Sequence, residues 1–163
     1  MKKALSFLLV LVMVLGLSYM PVSAEIVSED VVELQEGVYY LEDGSYIVTE
    51  RITSNIQPLA VGTKIYANRS TYYNSDDVAQ CALEVTGTFE INYGVSVKCI
   101  DVSATSYVYV NGWTVEKVTK SSSTSSGTTA YATASGEFIK KMLFITTSRI
   151  PVSVTVTCDK NGN

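Results

Sequence analysis

The 163-residue chain contains no histidine. Ser-His-Asp and Cys-His catalysis need an imidazole to take the proton from the nucleophile, and the common catalytic zinc sites need one as a ligand. Composition therefore argues against those chemistries. The carboxylates include three adjacent pairs, Glu29-Asp30, Glu42-Asp43 and Asp76-Asp77. Glycoside hydrolysis needs two carboxyl groups facing one cleft, whereas neighbours along a strand point to opposite faces. Asn74 to Asp77 (NSDD) offers the oxygen ligands that calcium takes, but an Asx turn is the preferred reading of that run. Asn68-Arg69-Ser70 matches the N-glycosylation sequon. We expect no catalysis, no cofactor and no metal.

Cys81, Cys99 and Cys158 leave one thiol without an intramolecular partner. Cys81 and Cys99 flank a turn near Tyr93-Gly94, which sets Cys99 against about residue 88. Cys81 then lies roughly 23 Å further along its strand, and a disulfide joins Cα atoms within about 7 Å. That pair fails unless the strand folds back at Gly87. Cys81 is left free, capped by a small thiol, or available to link two copies.

Tyrosine remains for recognition. Ten of the eleven tyrosines lie beyond residue 24, against four Phe and one Trp in the whole chain. A tyrosine combines a flat apolar face with a polar tip, which suits exposed binding surfaces. Tyr107 and Tyr109 are the leading ligand-binding candidates. Tyr72 and Tyr73 follow, because adjacent rings on a strand expose at least one.

The elements that must position these residues are strands. Lys2 and Lys3, the apolar run Leu5–Leu17 and the small-residue ending Pro21–Ala24 read as a secretory signal peptide, residues 1–24. Secretion is therefore expected, with no membrane insertion after cleavage. Residues 25–37 open an acidic, flexible leader, and residues 38–163 hold a single domain. Eight acidic and no basic side chains fall in residues 25–50. Without Lys2 and Lys3 the chain carries ten basic against sixteen acidic residues, which disfavours nucleic acid and anionic surfaces as partners.

Asp43-Gly44 predicts a two-residue hairpin that pairs Glu42 with Ser45, Leu41 with Tyr46 and Tyr39 with Val48. Asn111-Gly112 predicts another, with Val110 facing Trp113 and Val108 facing Val115 on a buried side, and Tyr107 and Tyr109 outside. The Ser-rich run 120–127 reads as a loop. From Thr128 a period-2 pattern places Ala130, Ala132 and Ala134 on one face, where something bulky packs close. Phe138–Ser148 and Ile150–Cys158 read as strands. Nine or ten short strands separated by turns predict an all-β fold, a single antiparallel β-sandwich.

The order Cys99, Trp113, Cys158 resembles the immunoglobulin fold, in which two strand cysteines bridge the sheets and a Trp packs on the bridge. VTGTFEINYGVSVKC, GTTAYATASGEF and VSVTVTCDKNGN are similar to segments of small secreted proteins of Gram-positive bacteria. The resemblance implies an immunoglobulin-like sandwich and a Cys99–Cys158 disulfide, with Cys81 outside it. It departs from the pattern at Val156, where the usual Tyr is missing. The expected function is a secreted or cell-surface binding or adhesion module for an extracellular glycan or protein, with a homodimer through Cys81 as an option. The alternative is a secreted bacteriocin-like or toxin-like effector.

Overall fold

The computed structural model describes residues 33–34, 36–52 and 62–163; the expected signal peptide, residues 1–24, and most of the expected acidic leader lie outside the described residues. Every regular element among the described residues is a strand: β1 (Glu33–Leu34), β2 (Gly37–Tyr40), β3 (Tyr46–Ile52), β4 (Thr63–Tyr73), β5 (Ala79–Asn92), β6 (Ser96–Val108), β7 (Trp113–Ser125), β8 (Thr129–Met142) and β9 (Ile145–Asp159). One sheet runs β2-β3-β4-β5-β6 and the other β1-β9-β8-β7. All pairings are antiparallel except the short parallel pairing of β1 with β9. Three residues of the expected leader, Glu33, Leu34 and Gly37, are thus held in sheets.

The two sheets bury one core between them, as the period-2 patterns dictate. Cys81, Leu83, Val85, Phe89 and Ile91 of β5 meet Ala130, Ala132, Ala134 and Phe138 of β8 and Val152, Val154 and Val156 of β9. The alanine face is fully buried, and the bulky neighbour is Phe89: a Cβ on Gly87 would lie 2.7 Å from the Phe89 ring and 2.8 Å from the Ala132 Cβ. An antiparallel sandwich is therefore observed. The five-stranded sheet is a meander; in the other sheet β7, β8 and β9 follow one another and β1 joins by a crossover beside β9, an order different from that of an immunoglobulin domain.

The Asn111-Gly112 hairpin is a correction. β6 and β7 belong to different sheets, so residues 109–112 carry the chain from one sheet to the other. Tyr109 and Val110 N–H groups donate to the Gln80 carbonyl, and Lys141 N–H donates to Gly112 O at 2.7 Å. The Asn-Gly turn signal is local, and it does not dictate which sheet receives the outgoing strand. In consequence Trp113 is buried, Val110 and Val115 are half-buried, and Val108 is 51% exposed instead of buried.

Two further boundaries move. The Ser-rich run belongs mostly to strand β7, where Ser121 pairs with Thr133 and Ser125 with Thr129. The reversal itself needs only residues 126–128, with Ser126 and Gly127 at positive φ. A genuine two-residue turn lies instead at Leu143-Phe144, between the paired Met142 and Ile145. Both turn residues have positive φ, 48° and 72°, the signature of a type I′ turn normally built from Asn and Gly. A left-handed conformation costs a side-chain-bearing residue roughly 1–2 kcal/mol.

Candidate functional site

The outer face of the five-stranded sheet carries the tyrosines in a row. Tyr40 of β2 pairs with Tyr46 of β3, and Tyr46 pairs with Tyr73 of β4. This register corrects the Asp43-Gly44 hairpin by one residue. Asp43 accepts hydrogen bonds from the Ser45 N–H and hydroxyl, and Leu41 N–H donates to Ser45 O at 2.8 Å. The reversal therefore spans Leu41 to Ser45, and Tyr39 pairs with Ile47 instead of Val48. A one-residue slip exchanges the faces of a strand. Here it turns Tyr40 and Tyr46 outward and leaves Tyr39 packed against the core.

The ring centroids of Tyr46 and Tyr73 are 5.1 Å apart with planes 8° apart, and Tyr40 follows at 5.7 Å, tilted by 46°. The spacing is close to the ~4.8 Å between strands, so parallel rings stand side by side on the sheet. They offer edges and hydroxyls to solvent. Tyr40, at the sheet edge, is 78% exposed. On β5 the row passes over the small Ala79, which pairs with Tyr73. Tyr109 then lies beyond the end of β6, 48% exposed, and stacks on Tyr107 at 6.4 Å. From β2 to β6 the row crosses four strand spacings, roughly 19 Å.

A polar row runs alongside. Glu50 pairs with Arg69, and Arg69 pairs with Glu84. Arg69 Nη2 and Nε donate to one Glu84 carboxylate oxygen at 2.6 and 3.0 Å. Tyr107 Oη donates to the same oxygen at 3.3 Å, while the Arg69 guanidinium lies 4.5 Å from the Tyr107 ring centroid. Together these contacts fix the half-buried Tyr107 ring, since charge-assisted and cation–π contacts reinforce one another. Tyr46 donates to Asp77 Oδ1 at 3.0 Å, a bond that pushes the Tyr46 hydroxyl above its ordinary pKa. Burial does the same for Tyr109. Both phenols are therefore neutral at physiological pH, able to donate and to accept.

Of the four candidate tyrosines, Tyr73, Tyr107 and Tyr109 lie on this face. Tyr72 does not: it points inward, is buried, and its ring lies 5.0 Å from that of Trp113. Tyr40 and Tyr46 were not among the candidates: the sequence sets no face for the Asp43-Gly44 hairpin, and its expected register is one residue off. The signal was present in Asp43 and Ser45, whose side chains lengthen the loop.

The cysteines form no disulfide; all three thiols are free. Cys81 pairs with Val108, and Cys99 pairs with Phe89, so these two are far apart along the sheet. The expected Cys99–Cys158 bridge is not formed: both residues lie at the core, but Cys99 Sγ contacts Asp101 O at 3.3 Å and Cys158 Sγ contacts Asp159 O at 3.4 Å. Burial pushes the Cys81 thiol up to about 12 and the Cys158 thiol to about 11. Cys81 has no exposed surface, so it cannot link two copies without opening the core.

Asn74 Oδ1 accepts the N–H groups of Asp76 and Val78, at 3.2 and 2.8 Å, which makes the NSDD run an Asx turn. No cluster of three metal-ligating side chains occurs among the described residues. Asn68 faces the core and donates to Thr155 O at 2.7 Å. The folded sequon is therefore closed to modification. No protein-family model, curated protein or solved structure matches the chain.

Proposed function

We propose that the protein is a non-catalytic binding module, secreted or held at the cell surface, whose ligand lies across the outer face of the five-stranded sheet. The observation that carries this reading is the tyrosine row from Tyr40 through Tyr46 and Tyr73 to Tyr109, with the Glu50–Arg69–Glu84 row beside it. A polyhydroxylated, extended ligand such as an oligosaccharide needs both features. Its C–H groups pack on the aromatic edges and on the exposed Tyr40 ring, and its hydroxyls need partners that both donate and accept. The row's span of roughly 19 Å favours a chain-like glycan over a compact small molecule.

The direct experiment is calorimetric titration of residues 25–163 with cell-wall and host oligosaccharides, compared with a Tyr46→Ala/Tyr73→Ala variant. Binding that survives this double substitution would place the ligand elsewhere.

A further inference from the structure

A second surface has no part in the tyrosine row. Strands β8 and β9 are joined by the turn Met142-Leu143-Phe144-Ile145, whose apolar side chains are exposed: Leu143 and Phe144 by 85% and 102%, Met142 and Ile145 by 60% and 68%. The turn also holds two bulky residues at positive φ, where Asn and Gly are normally preferred. Folding alone gives no reason for these residues here. Strain kept at an exposed tip points to a use outside the fold.

The polarity of the ribbon changes at one level on both strands. Met142 pairs with Ile145, and the next rung pairs Lys141 with Thr146; Lys140 then pairs with Ser148. The apolar tip is thus about 7 Å deep, and a cationic and hydroxyl-bearing collar follows it. We infer that this tip inserts into the interface of a lipid bilayer. A convex wedge needs no complementary groove in a fluid medium. A boundary perpendicular to the hairpin axis fits the water–lipid interface, where apolar groups sit about 5–10 Å deep. The backbone is already paired up to Met142 and Ile145, as an apolar surrounding demands.

Charge around the collar selects the headgroup. Lys141, Lys117 and Arg149 face the carboxylates of Glu116 and Glu137, with Lys141 on Glu116 and both Lys117 and Arg149 on Glu137. Lys140 lies over the Trp113 ring at 5.8 Å without a carboxylate partner in these pairs. The hairpin is cationic although the chain is acidic on average, so anionic headgroups are preferred. The acidic turns containing Asp43 and Asp77 belong to the other sheet.

The experiment is co-sedimentation of residues 25–163, which keep every described residue, with phosphatidylcholine vesicles and with vesicles also containing phosphatidylglycerol. Wild type should pellet with both and more strongly with the anionic vesicles. Leu143→Asn/Phe144→Gly should weaken partition at least about tenfold while holding or raising Tm, because Asn-Gly is the preferred type I′ pair. Met142→Thr/Ile145→Thr, at ordinary strand positions, should weaken it as well. Lys140→Gln should lower binding to anionic vesicles about fivefold and leave neutral vesicles unaffected. Equal pelleting of wild type and both tip variants would overturn the assignment. So would a wild type that stays in the supernatant, including one that forms a tip-dependent dimer without lipid, which would give the tip to a second copy.

Discussion

Gly87 and Ala132 meet across the two sheets so closely that a methyl group on Gly87 would lie 2.8 Å from the Ala132 Cβ. The same methyl would lie 2.7 Å from the Phe89 ring. Close-packed interiors do not absorb such an intrusion without moving side chains or backbone. Gly87→Ala should therefore destabilise by about 1–3 kcal/mol, read as a lower urea midpoint. Adding Ala132→Gly should recover only part, because the contact with Phe89 remains. An unchanged midpoint in the single variant would mean that the sheets are further apart than described.

Trp113 closes the end of the core, against Tyr72 on one side and below Lys140 on the other. Trp113→Ala should cost about 3–5 kcal/mol, as for a large core truncation. Tyr107→Ala with Tyr109→Ala should cost less, since both rings lie on the outer face and Tyr109 is about half exposed. Thermal unfolding of the two variants gives the comparison. A larger loss from the tyrosine pair would invert the assignment of inner and outer faces.

The thiols predict the alkaline limb of stability. Burial raises Cys81 to about 12 and Cys158 to about 11, against 9.0 for an ordinary thiol. Below pH 9 both states hold the proton and the stability is complete. Between about 9 and 12 the unfolded chain releases protons that the folded chain keeps, so stability falls as pH rises. On the acid side, hydrogen bonds from Ser45 to Asp43, from Lys141 to Glu116 and from the Asn163 backbone to Asp159 hold these carboxylates below their ordinary range. Their contribution is present above about pH 4.5 and is lost as pH falls. Denaturation midpoints across pH 3 to 11 test both limbs. Rising stability above pH 9 would contradict the buried thiols.

Free thiols give a separate prediction. A chromogenic thiol reagent should titrate three groups in denaturant without reductant, and in the native protein the half-buried Cys99 should react ahead of Cys81 and Cys158. Fewer than three groups would show a bridge.

The alternation of apolar and polar residues made the strands and the sandwich legible, because period 2 is a property of the backbone. The alanine face and its bulky neighbour were legible for the same reason. Connectivity was not. Asn111-Gly112 carries the local chemistry of a hairpin, yet the chain changes sheets there; Leu143-Phe144 lacks that chemistry and is the tight turn. Tertiary pairing of long strands overrides local turn preference. At the site, Tyr107 and Tyr109 were found through alternation beside a strong turn signal. Tyr40 and Tyr46 were not singled out, and the bonds from Ser45 to Asp43, which set the loop length, shift their hairpin by one residue from the expected register. The cysteine pairing rested on the resemblance, and in the structure all three thiols are free.

The claim that the tyrosine row is the binding face is tested most directly by titrating one oligosaccharide ligand, once identified, into wild type, Tyr46→Ala/Tyr73→Ala and Thr133→Ala. Thr133 bonds Thr155 within the four-stranded sheet, away from the tyrosine row, and serves as the control. The row variant should lose at least about tenfold in affinity, as expected for central aromatic contacts worth 1–2 kcal/mol or more, and Thr133→Ala should bind as wild type. Equal affinity for all three proteins, with folding intact, would contradict the assignment of this face.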